Sequence, residues 1–288
     1  MRRTNLLCGG GIAALAISLA GVASADIRTG DTLVINGEIE MITETEAPEH
    51  LEGALSTIYS GWVFRTDETR AMQMDDFDNP AMIFVDQAAS AFNTPMGTEG
   101  QSCASCHENA ETLADVRPTY PKWDEAHGQV QTVEMQIQEC QTERMGMEEP
   151  YGYDSQEMRN MAALIASVGR GQVVDVAIDG PAQETWEKGR EIYYTRYGQL
   201  ELACASCHEG NYGLLIRADH LSQGMINGFP TYRLRNAGLV SVHTRFRGCI
   251  RDTRAETFSV GSPEFVALEL YVASRGNGLT VEGPAVRN

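Results

Sequence analysis

Cys103-Ala104-Ser105-Cys106-His107 and Cys204-Ala205-Ser206-Cys207-His208 are the same five residues written twice in one chain. Two thiols one helical turn apart can add to the two vinyl groups of a single porphyrin. The adjacent histidine then presents a ring nitrogen to the iron, so Cys-x-x-Cys-His is the attachment pattern of a c-type haem. A lone Cys-x-x-Cys has rivals in thioredoxin-like redox sites and in zinc sites. The adjoining histidine and the second copy argue against both. The reading is two covalently bound haems, one on Cys103, Cys106 and His107, the other on Cys204, Cys207 and His208.

The likeness extends outward from the motifs. Pro118-Thr119-Tyr120 recurs as Pro230-Thr231-Tyr232, and a lone Cys140, 33 residues after His107, is answered by a lone Cys249, 41 residues after His208. Each half closes on an apolar helical run, Met161 to Gly171 and Leu268 to Gly278, in which Ile165-Ala166-Ser167 matches Val272-Ala273-Ser274. Ahead of the motifs, Ala88 and Gly189 each stand four residues before an aromatic, Phe92 and Tyr193. That spacing puts both on one helix face, where a small residue lets a second helix come close.

Each half thus reads as helix, haem motif, long loop, lone cysteine, closing helix. This is the order of a small class I cytochrome c domain, in which the haem fills a core that about 100 residues build poorly alone. The expected fold class is mainly α, with two class I cytochrome c-like domains related by internal duplication and an N-terminal extension. The expected boundaries are 26–93 for the extension, 94–172 for the first domain and 173–288 for the second. In the extension, Thr32 to Ile35 and Glu38 to Met41 flank Asn36-Gly37, the pattern of a hairpin. The Glu-rich piece that follows is expected to lie as an arm on the domains.

Arg2 and Arg3, the apolar stretch Asn5 to Val22 and the small residues Ala23-Ser24-Ala25 have the form of an export signal cleaved after Ala25. Export places the chain in the periplasm. As a retained anchor the stretch would be barely long enough, and no later segment approaches a membrane span. Without Arg2 and Arg3, 20 basic residues face 40 acidic ones. Of these, 27 acidic and 8 basic residues fall between Asp26 and Gln172. So acidic a first half excludes nucleic acid, which needs a basic footprint. It suits a solubilising surface or a face that docks a basic cytochrome.

The second axial ligand separates plain electron carriage from other chemistry. Met135, Met145, Met147 and Met225 follow the motifs, but none recurs in both halves, whereas Cys140 and Cys249 do. His107 with Cys140 and His208 with Cys249 are therefore the expected iron-ligand pairs. Thiolate donates strong charge to iron and lowers its potential. Three other readings stay open: a Cys140–Cys249 disulfide, two buried inert thiols, and haems with no sixth protein ligand. Around Cys249 the chain is rich in cations, with Arg245, Arg247, Arg251 and Arg254 nearby and Arg233 and Arg235 upstream. Cations favour thiolate and attract tetrahedral oxyanions, although haem propionates would also draw them. Cys140 lies in an acidic stretch instead.

Three stretches resemble one family: Phe229-Pro230-Thr231-Tyr232-Arg233, Arg245-Phe246-Arg247-Gly248-Cys249, and Glu264 to Tyr271. Asn79-Pro80-Ala81-Met82 adds a fourth. They are similar to SoxA proteins, the dihaem subunits of the SoxAX cytochrome complexes of thiosulfate-oxidising bacteria, over nearly the whole mature chain. The resemblance implies an L-cysteine S-thiosulfotransferase that joins thiosulfate to a cysteine of the SoxYZ carrier. It implies a mono-haem SoxX partner and a downstream cytochrome c acceptor. It makes Cys249 the catalytic residue, found in the family as a persulfide, and Arg245 the substrate-binding arginine, with Arg247 beside it. A dihaem thiosulfate dehydrogenase forming tetrathionate and a plain dihaem carrier remain as rivals. A dihaem peroxidase needs a five-coordinate iron, which two cysteine ligands would not leave.

Overall fold

Asn36 and Gly37 take φ values of 55° and 69°, left-handed conformations that these two residues tolerate best. They turn β1 (Leu33–Ile35) back onto β2 (Ile39–Met41), with Leu33 opposite Met41, as the pattern required. The computed structural model describes residues 27–217 and 219–288, so the expected export signal lies outside the described residues. The Glu-rich arm forms β3 (Glu44–Glu46), paired with β4 (Thr57–Tyr59). It is fastened to the second half: Ile42 N donates to Thr280 Oγ1, and Gln223 accepts from Tyr59 N while donating to Thr57 O. Helix α1 (Asp67–Met74) completes the extension and places Gln73 against Glu282 and Val286.

The first half begins before the expected boundary at residue 94, because α2 (Met82–Phe92) shares a core with α6 (Gln156–Val168); between them stand α3 (Cys103–His107), α4 (Val116–Thr119), the hairpin β5 (Lys122–Asp124) and β6 (Gln129–Gln131), and α5 (Val133–Glu139). The second contains α7 (Gln183–Tyr194), α8 (Cys204–His208), the hairpin β7 (Leu215–Ile216) and β8 (Asp219–His220), then β9 (Thr231–Arg233), β10 (Gly238–Val240), α9 (Val242–Asp252), α10 (Pro263–Ser274) and β11 (Ala285–Arg287). Strand β9 lies between antiparallel β10 and parallel β11.

The duplication is present, but one of its expected correspondences is wrong. Pro118 and Thr119 belong to helix α4, whereas Thr231 and Tyr232 belong to strand β9. The equivalent pairs are Tyr120-Pro121 and Phe229-Pro230, each leading directly into a hairpin and then a capped helix. Thr132 caps α5 and Ser241 caps α9 through side-chain oxygens, and Cys140 and Cys249 each stand eight positions past their cap. The unequal spacing of the lone cysteines therefore arises before Phe229, where the β7–β8 hairpin is inserted.

In both halves the helix before the haem motif packs on the closing helix. A Cβ on Gly189 would lie 1.9 Å from the carbonyl oxygen of Ala267, so α7 and α10 touch backbone to backbone there. In the first half Ala88 holds the same place, buried with Phe92, Ala163 and Leu164 in the α2–α6 core. The two cores meet through a buried polar knot. Glu134 is the second residue of α5 and His243 the second residue of α9, so the two are repeat equivalents. His243 Nδ1 accepts from Gly261 N at 2.9 Å, which puts its proton on Nε2, 3.0 Å from Glu269 Oε2. Tyr153 of the first half stacks on the imidazole at 4.9 Å. Burial, and then the neighbouring Glu269, pushes Glu134 up to about 7.

Two outcomes follow from this packing. Gly189→Ala improves helix propensity by about 1 kcal/mol, yet its methyl has no space, so we expect a net loss of about 1–3 kcal/mol in urea denaturation of the haem-loaded protein. A gain in stability would show that the helices are not in contact at Gly189. Glu134 holds its proton more tightly folded than unfolded, so its favourable contribution is complete below the unfolded value and is lost as pH rises through about 7. Glu134→Gln should therefore gain on the wild type as pH climbs from about 5 to about 8; a pH-independent difference would contradict the buried proton.

Candidate functional site

Helix α9 turns by about 100° per residue, which sets Arg245 and Cys249 on one face one turn apart. Both line a cavity, open to solvent, together with Cys204, Cys207 and His208 of α8. The remaining walls are mostly apolar, with Tyr193, Leu202, Phe246, Leu268 and Val272 among them. Burial, and then the nearby Cys249 thiol, pushes Cys204 up to about 12 and raises Cys207 as well. The lone cysteine therefore faces both thiols of its own motif.

His208 is prepared for ligation by the irregular chain that follows β8. Its Nδ1 lies 2.8 Å from the carbonyl of Ser222, which can only accept, so the proton sits on Nδ1 and Nε2 keeps its lone pair. Burial holds this imidazole down at about 4, in the neutral form a metal needs. Gly224, at a φ of 80°, passes so close that a Cβ would lie 2.9 Å from the ring.

The first site repeats the plan. Burial, and then Cys140, raises Cys103, while burial also raises Cys140 itself. Gln136 Nε2 donates to Cys140 Sγ at 3.7 Å, and Phe92 lies 6.5 Å from the His107 ring. Cys140 and Cys249 thus belong to separate sites, each thiol near its own motif, and neither takes part in a disulfide. Paired thiols, a histidine and an opposing sulfur around a largely apolar cavity are the donor set a covalently held haem needs.

A further repeat feature escaped the sequence reading. Gly97 and Gly198 each stand six residues before the first cysteine of a motif, both with φ of 68°. A Cβ at Gly97 would lie 1.9 Å from Met145 O, and one at Gly198 would lie 2.2 Å from Thr253 O. The chain entering each motif is thereby pressed onto the turn that leaves the lone-cysteine helix. The matching offset of the two glycines was the available signal.

The arginine cluster needs correction. Arg247, two residues from Cys249 on the helix, points about 160° away from it and lines neither this cavity nor the one beside it. Arg235, Arg251 and Arg254 are exposed. Arg245 is joined instead by Arg65 from the extension, Arg233 from β9 and Arg287 from β11, which line an adjoining chamber with His208 and Cys249. Arg65 and Arg287 carry no local signal, because they reach the site only through the tertiary fold.

Comparison with known proteins agrees with these features. The SoxA/TsdA cytochrome c domain family matches residues 87–174. The L-cysteine S-thiosulfotransferase subunit SoxA of Rhodovulum sulfidophilum is 60% identical over 284 residues, covering 98% of this chain and 96% of that protein. The subunit of the same name from Paracoccus pantotrophus is 55% identical over 278 residues, covering 96% of this chain and 95% of that protein. The crystal structure of SoxXA from P. pantotrophus superposes with a TM-score of 0.88 at 55% identity, covering 91% of this chain and all of that one.

Proposed function

The chain belongs to the SoxA family, and from that premise and the geometry of the second site we propose that it joins thiosulfate oxidatively to a cysteine thiol of a SoxYZ-type carrier protein. One observation carries this reading: Arg245 and Cys249 share one face of α9 and open onto the same cavity as His208. A carrier thiol and a thiosulfate dianion become an S-thiosulfonate, with loss of two electrons and one proton. The haems, when bound, supply one-electron acceptors for those two electrons, which pass on to a downstream cytochrome c.

The chain's own residues do the rest. Arg245 presents a planar fork to the sulfonate oxygens and so orients the sulfane sulfur. Cys249, as thiol or persulfide, offers the sulfur for exchange, whose rate depends on thiolate fraction and on the leaving sulfur. Phe246, Leu202 and Leu268 limit water around it. His107 with Cys140, and His208 with Cys249, are the proposed axial ligands. The solved relative is a complex with SoxX, which supports a mono-haem partner for this chain. Among the described residues no helix is long and apolar enough to cross a membrane, which fits the expected periplasmic location.

Cys249→Ala should abolish carrier-dependent thiosulfate oxidation while both haems stay covalently attached, as read by haem staining after denaturation. Normal turnover in that variant would sink the assignment. Arg245→Ala should raise KM for thiosulfate about tenfold or more, the scale of one charge-assisted hydrogen bond. Arg247→Ala should leave KM within about twofold, and the reverse ranking would return Arg247 to the site.

A further inference from the structure

A c-type haem is tied to its protein along the vinyl edge, and its two propionates leave from the opposite edge, across the iron. In the second site Cys204 and Cys207 line the largely apolar cavity and not the adjoining chamber, whereas His208 and Cys249 line both. The axis between histidine and lone thiol therefore runs along the boundary of the two spaces. A porphyrin fixed to Cys204 and Cys207 and centred on that axis directs its propionate edge into the chamber that the motif cysteines do not line. That chamber is the cationic one.

We infer that this chamber receives the propionates of the second haem, with Arg65 and Arg233 as their anchors and Asp219 as the resident counter-ion beside them. Through Arg65 the N-terminal extension would set the electrostatics of a haem held by the second half. The Arg65 side chain is only 5% exposed. It donates from Nη1 to Asp219 and from Nη2 to His220 O at 2.6 Å, while its buried Nε has no hydrogen-bond partner among the described residues. Arg233 Nη2 lies 3.5 Å from the same Asp219 carboxylate. Arg233 also donates from Nε to the backbone oxygen of Asn288 at 2.7 Å, so among the side-chain carboxylates of the described residues these two buried guanidinium groups share Asp219 alone, a costly arrangement without further anions.

Burial, and then the nearby Arg245 and Arg235, pulls Arg233 down to about 10, a sign of like charges held together. Arg287 is already engaged, with Glu282 at 3.6 Å and Gln73 at 2.7 Å. The first half has nothing comparable on its hairpin, because the repeat equivalent of Arg233 is Asp124. The inference also sorts the arginines: Arg65 and Arg233 serve the cofactor, and Arg245, beside Cys249, is left for substrate.

The test is a potentiometric titration of the haem-loaded protein, which does not depend on the transferase reading. A ferrous haem carries one positive charge fewer than a ferric one, so a nearby cation favours reduction. Arg65→Gln and Arg233→Gln should each lower the midpoint of one haem and leave the other in place. Asp219→Asn should raise the same midpoint, and Arg65→Lys, which keeps the charge, should restore most of the wild-type value. Unchanged midpoints, equal shifts in both haems, or a loss falling on thiosulfate KM instead would each overturn the inference. The last result would assign the chamber to the substrate.

Discussion

The backbone N–H of Glu99 donates to the carbonyl of Met145 at 3.2 Å, and that of Leu200 donates to the carbonyl of Thr253 at the same distance. In net free energy each bond contributes only about 1 kcal/mol, but its geometric consequence is large. The loop that delivers the two motif thiols and the histidine is fastened to the turn that leaves the helix carrying the lone cysteine. In the second half the histidine and the lone sulfur are thereby held on one cavity by main chain. Glycine is required at positions 97 and 198 because any side chain would collide with the carbonyl that accepts the bond. The helix pairs α2–α6 and α7–α10 then carry these frames, and close contact at Gly189 brings α7 down beside α8.

Features set by neighbours in the chain were legible in the sequence. The haem motifs and the Asn36-Gly37 turn act locally, and the small residues at 88 and 189 show by their place one turn before an aromatic, although they act against α6 and α10. The match of Pro118-Thr119-Tyr120 to Pro230-Thr231-Tyr232 misled because identity over three residues weighs less than position relative to a hairpin and a cap. Realigned on Pro121 and Pro230, the hairpins, the capping hydroxyls and the lone cysteines fall at equal offsets. The arginine run misled for a different reason. Closeness in sequence is not closeness on a helix, and of the four arginines around Cys249 only Arg245 shares its face. The cations that do converge come from the extension, β9 and β11, and no local pattern announces them.

Once the repeats are aligned by structure, their differences become chemical statements. The residue one turn before the lone cysteine is Gln136 in the first half and Arg245 in the second. Gln136 turns its amide onto the Cys140 sulfur, a neutral donor that steadies a ligand and offers little to an anion. Arg245 presents a guanidinium to the cavity beside Cys249. The hairpin position that is Asp124 in the first half is Arg233 in the second, so two changes move the second site from acidic to cationic. The inserted β7–β8 hairpin brings Asp219 and Ile216 to the rim of the second site. The shared frame carries a Cys-x-x-Cys-His motif and a lone cysteine in both halves, and substitutions on that frame leave a neutral amide beside Cys140 and arginines around Cys249. What surrounds the sulfur thus differs between two nearly identical motifs, while the scaffold that places it does not.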